Sequence, residues 1–199
     1  VTISSMTSSN AGIYQVTVTD SNSCQGTATT TIIVDAINVN ITGSNNVCLG
    51  STINLASNVT TGVAPYTYQW TGPNGFTSTS ASISIPNAQQ VNSGAYTVTV
   101  TDSNGCQGVA SSVVTVDIVS VNVVPSTTTA CIGSSVTLTA NVTSGAAPYS
   151  YSWVGPNGFT STDNPITISN VSLSNSGTYS VIVTDSNNCS GSSSSVVNV

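Results

Sequence analysis

Apolar and hydroxyl residues alternate along most of this chain. Ile53-Asn54-Leu55-Ala56, Ile83-Ser84-Ile85 and Tyr96-Thr97-Val98-Thr99-Val100 place branched or aromatic side chains at every second position, and the stretches 136–139, 166–168 and 179–183 copy them. A period of two is the repeat of one face of a strand, so each stretch is predicted to be a half-buried antiparallel strand. No stretch has a helical period. Turn chemistry separates the runs: Gly-Pro-Asn-Gly at 72–75 and 155–158, and Asp-Ser-Asn-Gly at 102–105. The pattern predicts seven strands in the middle of the chain: A near 37–43, B at 51–59, C at 66–71, D and E within 76–86, F at 95–101 and G at 107–116.

The alternation is itself repeated. Asn-Ala-Gly-Ile-Tyr at 10–14 returns as Asn-Ser-Gly-Ala-Tyr at 92–96 and Asn-Ser-Gly-Thr-Tyr at 175–179, and each copy runs on to Asp-Ser-Asn-x-Cys, ending at Cys24, Cys106 and Cys189. Cys48, Trp70 and Pro73 recur, all at one offset, as Cys131, Trp153 and Pro156. Self-similarity at a fixed period means a string of like modules. The expected domains are 1–35, the last strands of a first module in which Val1 and Ile3 match Ile83 and Ile85, then complete modules at 36–117 and 118–199. On this reading the chain begins within a repeat. The interval from Cys24 to Cys48 is shorter by one than that from Cys106 to Cys131, a difference expected to fall in the linkers.

Composition narrows the function. The 199 residues include no Lys, Arg or His, and six Asp give a net charge of −6. Only 3% of residues are charged, against roughly 25% in ordinary soluble domains, so Ser, Thr and Asn must supply the hydration. Without cations the chain cannot neutralise phosphates, which argues against nucleic acid and against electrostatic attachment to anionic membrane, and no direct membrane insertion is expected. Trypsin has no site to cut, and Lys–Asn isopeptide bonds cannot form. Five cysteines at fixed repeat positions, none in a C-x-x-C pair and with no His, point to disulfides in an oxidising compartment rather than zinc.

The large residues read as core. One Trp on each strand C, Trp70 or Trp153, offers a buried plate, and Tyr14, Tyr96 and Tyr179 at the start of each strand F carry the pattern of a tyrosine corner. The fold class predicted is all-β, tandem immunoglobulin-like antiparallel β-sandwich domains. Ala-Pro-Tyr-Thr-Tyr-Gln-Trp (64–70), Ala-Pro-Tyr-Ser-Tyr-Ser-Trp (147–153), the Cys-x-Gly at 48–50 and 131–133, and Tyr-Thr-Val-Thr-Val-Thr-Asp-Ser-Asn-Gly-Cys (96–106) resemble SprB-type repeats. These are repeats of giant surface adhesins of gliding Bacteroidota, related to the immunoglobulin-like repeats of proteins exported by the type 9 secretion system. The resemblance spans nearly the whole chain and implies a surface filament acting in adhesion or gliding.

The cysteines depart from the ordinary immunoglobulin bridge between strands B and F, whose places hold Ser57 or Ala140 and Val98 or Val181. Cys48 precedes the A–B turn and Cys106 follows strand F, and these turns are expected at opposite ends of a sandwich, roughly 20 Å apart along strand F. A disulfide needs Cα atoms about 4.4–6.8 Å apart. In a head-to-tail string the A–B end of one module faces the F–G end of the next, so an interdomain Cys48–Cys189 bridge is preferred. The intradomain alternative, Cys48–Cys106 with Cys131–Cys189, requires an unusual path for strand A and stays open.

Other chemistry is sparse. Asp102 and Asp185 open F–G turns while Asp35 and Asp117 sit in linkers, so Asp35 is expected near Asp102 and Asp117 near Asp185. Such pairs are Ca²⁺ candidates, although two carboxylates per junction are few for an ion that takes six to eight oxygens, and capping of the tight turns is the favoured role. No catalytic residue and no cofactor is expected, because general acid–base work draws on His, Glu or Lys and the chain has none. Phe76 and Phe159, after the Gly-Pro-Asn-Gly hairpins, are candidate contacts to a glycan or a second filament, or else fold back over the sandwich edge. The expected function is structural and adhesive: the shaft of a secreted or cell-surface adhesin, whose partners are neighbouring repeats and surface glycans or other cells. A spacer in a secreted multidomain enzyme and a carbohydrate-binding module are the alternatives.

Overall fold

The computed structural model describes residues 2–3 and 6–199. Among the described residues eighteen strands follow one another: β1 (Gly12–Thr19), β2 (Gln25–Ile32), β3 (Val39–Gly43), β4 (Asn46–Cys48), β5 (Ile53–Val59), β6 (Thr67–Thr71), β7 (Thr77–Ser78), β8 (Ser82–Ile85), β9 (Gly94–Thr101) and β10 (Gln107–Asp117), then their successors. These are β11 (Ser120–Val124), β12 (Thr127–Thr129), β13 (Val136–Ser144), β14 (Ser150–Val154), β15 (Thr160–Ser161), β16 (Ile166–Ile168), β17 (Gly177–Thr184) and β18 (Ser190–Asn198). Short 3₁₀ turns at Gln90–Asn92 and Leu173–Asn175 form the corners before strand F.

Module two is a sandwich of a three-stranded sheet, β3-β5-β8, and a five-stranded sheet, β4-β10-β9-β6-β7, and module three repeats it as β11-β13-β16 and β12-β18-β17-β14-β15. The period-two pattern explains which atoms meet between the sheets. On β9 the side chains of Tyr96, Val98 and Val100 point inward and are fully buried, with Thr97, Thr99 and Thr101 on the outer face. They close on Trp70, Ile53, Leu55 and Ile83 in module two; Tyr179, Val181, Val183, Trp153 and Leu138 do the same in module three.

Strand A is split. β3 pairs antiparallel with β5, but the chain then leaves that sheet at Gly43–Asn45, and β4 runs parallel to β10 with Cys48 level with Asp117. The kink also holds the extra residue of module three. Asp35, Ile37 and Thr42 have their counterparts at Asp117, Val119 and Val124, whereas Asn46 and Cys48 have theirs one position further along, at Thr129 and Cys131. The linkers therefore match in length, and the expectation that they take up the difference is corrected. Between the matched positions module three has four residues, Pro125-Ser126-Thr127-Thr128, where module two makes the same change of sheet with three, Gly43-Ser44-Asn45.

Two further expectations change. The segment after the Gly-Pro-Asn-Gly turn is not strand D; β7 pairs Ser78 with Trp70 and Thr77 with Thr71, so it extends the sheet beyond strand C. Tyr14 is not core, being 38% exposed, because β1 and β2 form a two-stranded hairpin and, among the described residues of 1–34, no second sheet packs on it as one does on Tyr96. Ile3, expected to match strand residue Ile85, lies in no strand, and Val1 falls outside the described residues.

Candidate functional site at the joint between modules

The parallel run of β4 beside β10 decides where Cys48 goes. It carries the cysteine to the end of module two, beside Asp117, and only Ile118 and Val119 separate β10 from β11 of the next module. From the other side comes the F–G turn of module three, where Asn188 takes a positive φ of 63° and presents Cys189. Cys48 and Cys189 are bonded through sulfur, with Cα atoms 5.2 Å apart and a sequence separation of 141. Cys189 is almost fully buried, and Cys48 packs against the core of module three. Closing a loop of this length removes unfolded-chain entropy equivalent to roughly 5 kcal/mol in the chain-entropy model. Cys24, Cys106 and Cys131 are free, so neither Cys48–Cys106 nor Cys131–Cys189 forms; β4 has taken Cys48 to the end of its module opposite Cys106.

The carboxylates meet at the same place. Carboxylate oxygens of Asp117 and Asp185 and the disulfide-bonded Cys189 sulfur lie within 4.8 Å of one another, and so do those of Asp35 and Asp102 with the Cys106 sulfur. Asp185 is buried and holds three N–H donors: Oδ1 accepts from the Asn187 and Cys189 N–H groups, each at 2.9 Å, and Oδ2 from Ala146 N–H at 3.0 Å. Asp102 makes the equivalent set with Asn104 and Cys106, each at 2.9 Å, and Val63 at 3.2 Å. Burial raises the carboxyl pKa of Asp102 and of Asp185, but these N–H donors, aided by the adjoining Asp35 or Asp117, outweigh it and leave both below the usual value. Burial, and then the charges of Asp102 and Asp35, push the Cys106 thiol up.

Residues that the sequence pattern left without a role complete the joint. Asn187 Nδ2 donates to Asp117 Oδ2 at 2.7 Å, and Asn104 Nδ2 to Asp35 Oδ2 at 3.1 Å, so the expectation of a linker position holds for Asp35 while Asp117 ends β10, and each is tied to an F–G turn. Gly191 and Gly108 leave no room for a side chain: the Val119 carbonyl lies against the first, and the Ile37 carbonyl would be 2.7 Å from a Cβ on the second. The sequence does carry a signal for them, since Asn22, Asn104 and Asn187 are the third residue of every Asp-Ser-Asn-x-Cys phrase and Gly26, Gly108 and Gly191 stand second after its Cys.

The other candidates lie elsewhere. Trp70 and Trp153 are buried; the Trp70 indole donates to the Ser80 carbonyl at 2.8 Å, whereas Trp153 Nε1 has no partner among the described residues. Tyr96 and Tyr179 are fully buried and donate to the carbonyls of Asn92 at 3.0 Å and Asn175 at 3.2 Å, which makes each a tyrosine corner. Tyr14 makes the same bond to Asn10 at 3.0 Å. Phe76 and Phe159 are half-buried, edge-on to Tyr96 and Tyr179 with ring centroids 5.7 and 5.4 Å apart. No helix among the described residues is long and apolar enough to cross a membrane.

Residues 120–199 match the family model described as immunoglobulin domain. Among solved structures, the chain is similar to three N-terminal domains of the bacteriophage RB49 highly immunogenic outer capsid protein (Hoc), with 23% identity, a TM-score of 0.50, and coverage of 82% of this chain and 59% of that one. It is also similar to the four N-terminal Ig domains of Dscam1 isoform 6.9, at 18% identity and a TM-score of 0.39 over 89% of this chain and 51% of that one. The amphioxus IgVJ-C2 molecule matches at 15% identity and a TM-score of 0.38, over 77% of this chain and 99% of that one. No curated protein matches. The chain thus spans about three fifths of the Hoc domains, a likeness of fold alone, and the immunoglobulin-like character rests on the family match over 120–199 and on the two-sheet topology that module two shares.

Proposed function

We propose that this chain is a stretch of the shaft of a secreted or cell-surface adhesin or extracellular filament, a non-catalytic string of immunoglobulin-like modules that supplies reach and stiffness. The observation that supports this reading is the Cys48–Cys189 bond across a joint whose linker is only Ile118 and Val119. An enzyme site has no use for a covalent tie between adjoining spacer modules, whereas a shaft does, because a joint held by both backbone and disulfide cannot swing freely. Disulfide chemistry agrees with an oxidising, extracellular setting. A surface hydrated by Ser, Thr and Asn, without a tryptic site, suits a long fibre exposed to proteases.

The resemblance to SprB-type repeats narrows the reading to surface adhesins of gliding cells, with neighbouring repeats as the first partners and glycans or other cells as targets of the distal end. Antibodies raised against residues 1–199 test it. On intact source cells they are expected to decorate filaments in immunogold micrographs, and cells deleted for the gene are expected to detach at lower shear. Label confined to a soluble enzyme in the medium, with unchanged adhesion in the deletion, overturns the reading in favour of the spacer.

A further inference from the structure

The position of the bridge within the topology has a mechanical consequence. Tension entering module two through Asp35 runs down β3 and β4 to Cys48, crosses the two sulfurs to Cys189, and leaves along β18 to Val199. Residues 49–188 lie off that path. They include β5 to β10 and β11 to β17, and with them Trp70, Tyr96, Trp153 and Tyr179, the largest buried side chains of both cores. Most of the path, β3, β4 and β18, is already strand and has little length left to give; a strand rises about 3.3 Å per residue against a limit of about 3.6 Å. In the absence of the bond, the same tension would pass in series through the Ile118–Val119 linker and every strand of both sandwiches.

We infer that the Cys48–Cys189 bond is a mechanical shortcut that carries pulling force around the two hydrophobic cores, making this pair of modules almost inextensible. Force along the chain takes this route whatever the shaft displays or binds.

Single-molecule pulling of the 199-residue chain by its two ends tests it, with the bond status of the same sample established by non-reducing peptide mapping. Oxidised protein is expected to show no unfolding steps from modules two and three. Its fully stretched length is expected to be about 500 Å shorter than that of the same protein pulled in reductant, the sequence separation of 141 multiplied by roughly 3.6 Å per residue. Cys48→Ser is expected to behave as the reduced protein does; because the stretched length does not require a folded variant, the comparison stands if that variant folds poorly. Equal stretched lengths and the same two unfolding steps in oxidised and reduced protein overturn the inference, as does a peptide map in which Cys48 and Cys189 are not linked. Failure of the surface labelling leaves this result untouched, and the converse also holds.

Discussion

Asn187 and Asp117, far apart in sequence, are joined by a 2.7 Å hydrogen bond that fastens the end of β10 to the F–G turn of the next module. The bond is exposed, so its contribution to stability is small, about 0.5–1.5 kcal/mol, but it acts at a hinge. Asn187→Ala is expected to leave the melting temperature nearly unchanged and, in a Cys48→Ser background, to broaden the distance distribution between spin labels on modules two and three. An unchanged distribution in that background would show that the amide does not restrain the joint.

The two tryptophans are expected to respond unequally to Phe. Trp70→Phe removes an indole N–H that satisfies the Ser80 carbonyl, whereas Trp153→Phe removes a buried donor that has no partner among the described residues. Both leave a void, but only the first breaks a hydrogen bond, so Trp70→Phe is expected to cost about 1 kcal/mol more in urea unfolding. Equal costs would mean that the Trp153 indole is satisfied after all.

Glycines before the Pro-Asn-Gly turns are fixed by the tyrosine corners. A Cβ on Gly72 would stand 2.7 Å from the Tyr96 ring and one on Gly155 2.5 Å from the Tyr179 ring. Gly72→Ala and Gly155→Ala are therefore expected to destabilise by about 1–3 kcal/mol through overpacking. Gly75, whose Cβ would meet open space, is constrained only by its φ of +71°, and Gly75→Ala is expected to cost about 1 kcal/mol. Thermal melts of the three variants check the order.

Acid sensitivity follows from Asp102 and Asp185. Each has a folded pKa below its unfolded value, so its contribution to stability is complete above the unfolded value, about 3.9, and is lost as the pH falls through the folded value. The melting temperature is expected to be flat near neutrality and to drop below about pH 4. Asp102→Asn and Asp185→Asn are expected to lower it at neutral pH and to shallow the acid slope. A wild-type melt indifferent to acid contradicts this.

The same carboxylates bear on calcium. Three N–H donors occupy each of Asp102 and Asp185, which leaves few of the six to eight oxygens that Ca²⁺ takes. Chelator is expected to leave the melting temperature unchanged, and a calcium-dependent rise of several degrees would assign the pairs to the ion instead.

What can be read in the sequence depends on how many residues carry each feature. The long strands β9 and β10 show their period over eight and eleven residues, and the sandwich follows from them. β4 and β7 have three and two residues, too few for any period, so the move of strand A between sheets and the placement of β7 beside strand C have no pattern to reveal them. The order of the turns alone places Cys48 and Cys189 at facing ends; the intradomain pairing stays open in the sequence because the path of strand A is set by that same unreadable kink. Tyr14 departs from expectation because its strand has the core pattern while the described residues before Ile33 form only the β1-β2 sheet.

The odd residue of module three lies in the strand A kink, so the span from the F–G cysteine to the following aspartate is the same in both copies, Cys24 to Asp35 and Cys106 to Asp117. Both joints carry the same Asn–Asp tie at the same spacing from the F–G cysteine. A change of length within a module is therefore taken up inside that module, and the contacts that close the joint keep their register.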